Sequence, residues 1–151
     1  MALFVSTIVN KVDRKGRVSV PAPWRAALAS QSFAGIVCFP SFTHPCLEGM
    51  DMERLEKMAE SLDRLDMFSV EQDDMTQLIF AAARQLSFDT EGRIMLPEDF
   101  IAHAGISDSA AFVGRGRTFQ IWEPEAQRAA LADSMRRASA QRPTLKLDGG
   151  A

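Results

Sequence analysis

Basic side chains are concentrated near the start of this 151-residue chain, although its formal net charge is -3. The first 25 residues carry five basic side chains against one acid, Asp13. Lysine and arginine in a tight turn can approach phosphates, and a planar guanidinium can pair with guanine in the major groove. We therefore predict a local nucleic-acid contact, with a solvated hairpin and one ion pair as the alternative. The five cations are Lys11, Arg14, Lys15, Arg17 and Arg25.

The basic stretch is the first of two copies of one pattern. Residues 12–21 read apolar, Asp, two polar residues, Gly, Arg, apolar, any residue, apolar and Pro, and residues 88–97 repeat this order 76 positions later. Repetition of this kind indicates duplicated structural units. In the second copy, Thr90 and Glu91 replace Arg14 and Lys15. We therefore expect the first repeat to bind nucleic acid and the second mainly to complete the fold.

Each copy predicts a β-hairpin with a short glycine-containing loop. Gly16 supplies the positive φ that such a loop requires. Asp13 and Arg17 flank the loop, so their side chains can pair across the two strands. The corresponding residues of the second copy are Asp89, Gly92 and Arg93.

The repeated unit continues as a short amphipathic helix and a second hairpin. Units of about 45 residues bury little apolar surface alone, so the two copies are expected to share one core. Asp51 and Ser69 are predicted to cap the two linker helices through their side chains. Glu123 followed by Pro124 resembles a helix start with proline in the first turn. The predicted organisation is a first repeat at residues 5–51, a helical linker at 52–84, a second repeat at 85–126, a C-terminal helix at 127–138 and a disordered tail at 139–151.

Signals for other functions are weak. The sequence contains no glycine-rich phosphate loop with its lysine, no Gly-x-Ser-x-Gly elbow and no His-Glu-x-x-His motif. Cys38, His44 and Cys46 lie close together, but a zinc site needs four ligands, so two reduced thiols are the favoured interpretation. Residues 114–117 are interpreted as a hairpin tip rather than an anion site. No run approaches the ~18 apolar residues of a membrane span, and we expect a cytoplasmic protein.

These motifs resemble the signature of the MraZ family, within the AbrB/SpoVT-like superfamily of swapped-hairpin barrels. The resemblance covers nearly the whole chain. It implies an α+β fold, namely a pseudo-two-fold, double-psi-like or swapped-hairpin β-barrel built from two tandem AbrB-like repeats, with linker helices and a C-terminal helix. The matching features are the paired Asp-to-Arg turns at 13–17 and 89–93, the prolines Pro21 and Pro97, residues 44–47, and Trp122 with Glu123.

The resemblance also implies a function. Members of the family are bacterial transcriptional repressors of the division and cell-wall gene cluster, including their own promoter, and are nucleoid-associated. They resemble ring-shaped homo-oligomers that bind repeated short boxes in double-stranded promoter DNA. Carried over by position, Arg17 is the principal DNA contact, with Lys15 and Arg14 beside it. Arg93 is the second-repeat equivalent, where Glu91 opposes a strong DNA role.

Two further interpretations remain open at this point. An antitoxin-like protein-interaction or scaffold module would use the alanine-rich last helix and the methionine-rich linker instead of the basic turn. An enzyme or metal protein would use Cys38, His44 and Cys46. On the favoured interpretation the protein needs no cofactor, no metal and no small-molecule substrate, and it does not contact membranes.

Overall fold

The structure is a computed structural model that describes residues 2–147. Eight strands and five α-helices are present among these residues, and the third helix continues into one π-helical turn. In chain order the elements are β1 (Thr7–Lys11), β2 (Arg17–Ser19), α1 (Ala22–Leu28), β3 (Gly35–Pro40), β4 (Leu47–Met50), α2 (Met52–Leu62), α3 (Val70–Met75) with its π-helical turn (Thr76–Ala81), β5 (Arg84–Ser87), β6 (Arg93–Met95), α4 (Glu98–Ala104), β7 (Ser109–Gly114), β8 (Phe119–Trp122) and α5 (Pro124–Gln141).

Six strands form one antiparallel sheet in the order β1-β7-β8-β4-β3-β5, and β2 pairs with β6 in a separate two-stranded ribbon. The two second hairpins predicted from sequence, β3 with β4 and β7 with β8, are confirmed. The α+β class is confirmed as well. The described ladders leave β1 and β5 as edges of the six-stranded sheet, so they do not form the closed barrel that the resemblance implies.

The two glycine turns form as expected, but the strands around them choose other partners. Across the first turn, the described chain makes the bridge between Val12 and Val18 and the hydrogen bond from the Asp13 N–H to the Arg17 carbonyl at 3.0 Å. Beyond that bridge β1 pairs with β7, and β2 pairs with β6, both from the second repeat. The prediction of two self-contained hairpins was therefore wrong in its pairing. The physical reason is length, because strands of three to five residues make a hairpin of marginal stability unless another element covers it.

The exchange between the repeats is reciprocal. The backbone N–H of Leu96 donates to the carbonyl of Gly16 at 2.8 Å, and that of Val20 donates to the carbonyl of Gly92 at 3.2 Å. The two bonds are equivalent in the two copies, because the donors Val20 and Leu96 are 76 residues apart in sequence and so are the acceptors Gly16 and Gly92. Each turn is thus held by the other repeat, and neither repeat has a complete set of backbone partners alone.

The main core lies between the helices α1 and α4 and the sheet. Trp24 of α1 and Phe100 of α4 stand at equivalent repeat positions, and both are buried. The Trp24 ring packs against Phe4, Phe112 and Phe119 with centroid distances of 5.4, 5.9 and 5.1 Å. Its indole N–H donates to the carbonyl of Val5 at 3.1 Å. A smaller cluster of Val37, Phe39, Met50 and Ile79 joins the linker helices to the sheet.

The predicted helix starts are confirmed. The Asp51 carboxylate accepts the N–H of Arg54 at 2.8 Å, and the Ser69 hydroxyl accepts that of Gln72 at 3.1 Å. Glu123 caps the last helix in the same way, with Pro124 in its first turn.

The last helix is longer than predicted. It ends at Gln141, so residues 139–141 are helical instead of belonging to a tail. Pro143 is the first residue that cannot continue the helix, and Arg142 before it turns to a φ of 50°. Residues 142–147 have no regular structure. The rest of the predicted disordered tail, 148–151, lies outside the described residues.

Candidate nucleic-acid interface

The first turn is organised around the Asp13 carboxylate. Its Oδ1 accepts the backbone N–H groups of Lys15 at 3.0 Å and of Arg17 at 2.8 Å, and its Oδ2 accepts the Nε of Arg17 at 2.6 Å. Gly16 completes the turn with a φ of 85°. The aspartate therefore closes the loop and orients the arginine through one edge of its guanidinium.

The second turn repeats this geometry. Asp89 accepts the backbone N–H groups of Glu91 at 2.8 Å and of Arg93 at 2.9 Å, and it also accepts the Nε of Arg93 at 2.8 Å. Gly92 has a φ of 76°. One difference matters for function: a terminal nitrogen of Arg93 also lies 3.5 Å from the Glu91 carboxylate, whereas Lys15 occupies that position in the first turn. The positive charge of Arg93 is thus more fully neutralised than that of Arg17.

Both turn aspartates are ionised more readily than a free aspartate. The backbone N–H of Arg17 is the main reason that the pKa of Asp13 lies below its ordinary value of 3.8, and the guanidinium of Arg17 adds to the effect. The backbone N–H of Arg93 lowers the pKa of Asp89 in the same way. The hydrogen bond to Asp89 raises the pKa of Arg93. Both aspartates are therefore negatively charged at neutral pH.

Acidification is expected to weaken the fold through these two turns. Because the folded pKa values of Asp13 and Asp89 are lowered, their stabilisation is complete above the unfolded value of 3.8 and is lost as the pH falls through the folded values. The effect is measured by urea unfolding at about pH 5 and at about pH 3, which gives the unfolding free energy at each pH. The wild type is compared with the double variant Asp13→Asn/Asp89→Asn. The wild type should lose more unfolding free energy than the variant, and parallel pH dependences would contradict this assignment.

The structure places most of the predicted cations at the first turn. Arg14 and Lys15 are exposed at its tip, and Lys11 is exposed at the end of β1 just before it. Arg17 is partly exposed, with 34% of its side-chain surface accessible. No ion pair joins Lys11, Arg14 or Lys15 to an acid within residues 2–147. These four cations lie at or next to the first turn, and their role in DNA binding stays a prediction.

Arg25 lies elsewhere, which corrects the prediction that it joins the first turn. Its guanidinium packs directly against Gly92 of the second turn, so closely that a Cβ on Gly92 would lie 2.5 Å from the Arg25 Nε. It also donates to the carbonyl of Val20. The reason is the reciprocal exchange, because Ile101 of α4 occupies the equivalent place beside Gly16. Arg25 and Ile101 are separated by the 76-residue repeat spacing, and each contacts the glycine turn of the opposite repeat.

The ribbon brings the two turn arginines onto one surface, which sequence reasoning missed. In the β2–β6 ladder Arg17 faces Met95, Val18 faces Ile94, and Ser19 faces Arg93. Val18 and Ile94 are buried in the core, so the other four side chains share the outer face. Arg17 and Arg93 also line one open surface pocket with a volume of about 500 Å³, together with Phe88, Thr90 and Met95. Arg93 therefore belongs to the same surface as the basic turn.

The alternative enzyme or metal site would consist of Cys38, His44 and Cys46, and the structure shows what surrounds each of them. Cys38 and Cys46 are free and buried, and burial raises the pKa of Cys46 to about 12, with a further rise from the nearby Glu48 charge. Neither thiol is therefore a nucleophile at neutral pH. His44 packs against the Trp122 ring at a centroid distance of 5.7 Å. The described part of the chain contains no group of three or more His, Cys, Asp or Glu side chains arranged to hold a metal ion.

Two further observations concern the hairpin tip at residues 114–117 and membrane crossing. The turn between β7 and β8 is closed by a hydrogen bond from the Arg115 N–H to the Thr118 carbonyl at 2.9 Å, as expected for a hairpin tip. None of the helices between residues 2 and 147 combines the length and apolar character that a membrane crossing requires.

A duplicated β-unit that places two partly exposed arginines on one ribbon is the arrangement expected of a nucleic-acid-binding protein. Comparison with known proteins agrees. Residues 79–147 match a family model described as "MraZ protein, putative antitoxin-like". The chain is 42% identical to proteins named transcriptional regulator MraZ from Rickettsia canadensis (strain McKiel) and Rickettsia bellii (strain OSU 85-389), over 97% of this chain and 98% of each relative. The chain belongs to the MraZ family of transcriptional regulators.

Proposed function

We propose that this protein is a sequence-specific repressor that binds double-stranded promoter DNA through the first turn. The observation that carries the proposal is the cluster of Arg14, Lys15 and Arg17 at an exposed turn that Asp13 and the opposite repeat hold in place. The proposed targets are repeated short boxes upstream of the division and cell-wall gene cluster, including its own gene. The protein would accordingly act in the cytoplasm, at the nucleoid.

One turn alone would bind weakly. Each neutralised phosphate contributes only part of the affinity, and a single turn offers three or four cationic contacts. We propose a ring-like homo-oligomer in which several turns engage successive boxes on one duplex. Every contact after the first is then intramolecular, which raises the overall affinity without any additional interaction within a turn.

Two exposed apolar surfaces support self-association. The loop between α2 and α3 exposes Met67 and Phe68, and Val70 at the start of α3 is exposed beside them. Phe68 is 92% exposed with a φ of 67° that bulky residues rarely adopt. This loop lies in a stretch, residues 48–74, with ten acids and three bases. Helix α5 exposes Leu131 and Met135 beside arginines at 128, 136 and 137, of which the first two are paired with Glu125 and Asp133. A head-to-tail contact between such different surfaces generates a ring when the rotation closes.

Removing the apolar loop surface should reduce the size of the oligomer. The variant Phe68→Ser/Val70→Ser is expected to shift the mass measured by light scattering toward that of the monomer, because these side chains make no core contact to lose. Val9→Ser changes an apolar residue of β1 that is 52% exposed and lies outside this surface, and it serves as the control. A monomeric wild type, or a double variant with unchanged mass, would refute this surface.

The function is tested by a footprint on the DNA immediately upstream of the gene that encodes this chain. We expect several regularly spaced, short protected segments. We also expect affinity to fall steeply between about 50 mM and about 200 mM salt, because phosphate contacts release counterions. Protection that is absent, or continuous without spaced boxes, would argue against a sequence-specific regulator.

The alternative is a protein-interaction module, which the words "antitoxin-like" in the family description favour. Such a module would use α5 and the loop between α2 and α3. Its DNA affinity would be weak and indifferent to Arg17, whereas truncation after Glu123 would abolish partner binding. These two results together separate it from the repressor.

A further inference from the structure

We propose that the outer face of the β2–β6 ribbon reads base edges, and that Met95 is a specificity-determining residue that recognises the methyl group of thymine. This inference rests on the proposed DNA-binding function and adds a residue to it. It also gives the second repeat a direct role at the DNA, because Met95 and Arg93 both belong to β6.

The spacing of the ribbon side chains suits base pairs. Arg17 and Met95 are direct cross-strand neighbours, as are Ser19 and Arg93. The Cβ atoms of direct cross-strand neighbours are about 5 Å apart, and those of a diagonal pair such as Arg17 and Arg93 are about 7–8 Å apart. Successive base pairs are separated by about 3.4 Å. The positions of Arg17 and Arg93 on the ribbon are therefore separated by roughly two base-pair steps, and Met95 lies directly across the ribbon from Arg17.

The ribbon is held rigidly enough to act as a reading surface. Val18 and Ile94 anchor its inner face in the core. Its ends are tied to the turns by the reciprocal bonds from Leu96 to Gly16 and from Val20 to Gly92. The major groove admits a two-stranded β-ribbon of this width. A preorganised ribbon loses little conformational freedom on entering it.

The chemistry of the face points to a mixed base pattern. Arg17 is oriented by Asp13 through its Nε, and no acceptor in the described chain takes its terminal nitrogens, which can therefore address the O6 and N7 atoms of guanine. Met95 is 55% exposed on the same face and has no polar atom suited to a phosphate. In the major groove the thymine methyl group is the apolar feature of a base edge. The unbranched methionine side chain can adapt its shape to reach it.

The experiment uses full-length wild type and a duplex obtained from a random-sequence library by selection with that protein. Each thymine of the selected box is replaced in turn by deoxyuridine, which removes only the methyl group. At one position of the box we expect the wild type to lose about fourfold in affinity, the loss that corresponds to one buried methyl-sized group. Met95→Ala should bind the thymine and deoxyuridine duplexes equally at that position. Arg117→Ala, at the hairpin tip between β7 and β8 and outside the ribbon, should keep the wild-type difference.

The outcomes separate this inference from the proposed function. A wild type that selects no preferred sequence overturns both. A wild type that selects a sequence but tolerates deoxyuridine at every thymine overturns the role of Met95 alone. The same holds if Met95→Ala retains the full thymine preference. Circular dichroism of the variants confirms that each is folded before its binding is compared.

Discussion

Replacing Arg17 with alanine is expected to lower the affinity for a single promoter box by roughly 10- to 100-fold, the effect of losing one well-oriented bidentate contact to a base. Asp13 holds the Arg17 guanidinium at 2.6 Å and thereby fixes its direction before DNA arrives. An arginine oriented in advance loses little side-chain freedom on binding, so most of its interaction energy appears as affinity. Mobility-shift titration of a duplex with one box measures the loss without the contribution of several linked contacts.

Arg117→Ala is the matched control for this prediction. Arg117 is an exposed arginine at the hairpin tip between β7 and β8, so its removal changes the net charge equally but leaves both turns intact. Its effect should stay within a few-fold and should act uniformly on all sequences. Arg93→Ala should cost less than Arg17→Ala, since Glu91 already neutralises part of its charge. Wild-type affinity in a folded Arg17→Ala protein would disprove the assignment of this residue.

Replacing Trp24 with alanine is expected to lower the free energy of unfolding by about 3–5 kcal/mol, as large-to-small changes in tightly packed cores do. The indole contacts three buried aromatic rings. It also satisfies the carbonyl of Val5, which the variant leaves without its donor. For a chain of this size such a loss corresponds to a fall in melting temperature of roughly 6–20 °C. Thermal and urea unfolding followed by circular dichroism provide the two measurements.

Leu3→Ala provides the comparison for Trp24→Ala. Leu3 is also apolar and lies in the same N-terminal segment, but it is exposed, so its replacement should change stability by no more than about 0.5 kcal/mol. Trp24→Phe should recover part of the loss, because it keeps an aromatic ring but not the N–H donor. If Trp24→Ala unfolds at the same denaturant concentration as Leu3→Ala, the aromatic cluster does not stabilise the fold as we describe.

Helix starts and turns were predictable because their causes are local. Asp51, Ser69 and Glu123 each accept a backbone N–H three residues ahead, and such a bond depends only on residue type and short spacing. The end of the last helix was harder to predict from the sequence. Serine, alanine and glutamine at 139–141 carry no apolar period, yet they continue the helix until Pro143 stops it.

The position of Arg25 shows why part of the site escaped prediction. In sequence it follows the first turn closely, and its charge matches that of the other cations. In the fold it lies against Gly92, more than sixty residues away along the chain. No local pattern specifies which of two similar turns a helix will contact. That choice depends on how the two repeats pack as a pair.

The amino-acid sequence alone was sufficient to establish the duplicated unit, the aspartate-to-arginine geometry of each turn and the concentration of cations in the first copy. These features depend on contacts within about five residues, where residue type and spacing leave few conformations available. Tertiary structure alone decided that β2 pairs with β6, and hence that Arg17, Arg93 and Met95 share one face. Strand pairing across more than seventy residues is selected by burial of Val18 and Ile94 in a common core, and that burial exists only after both repeats have come together.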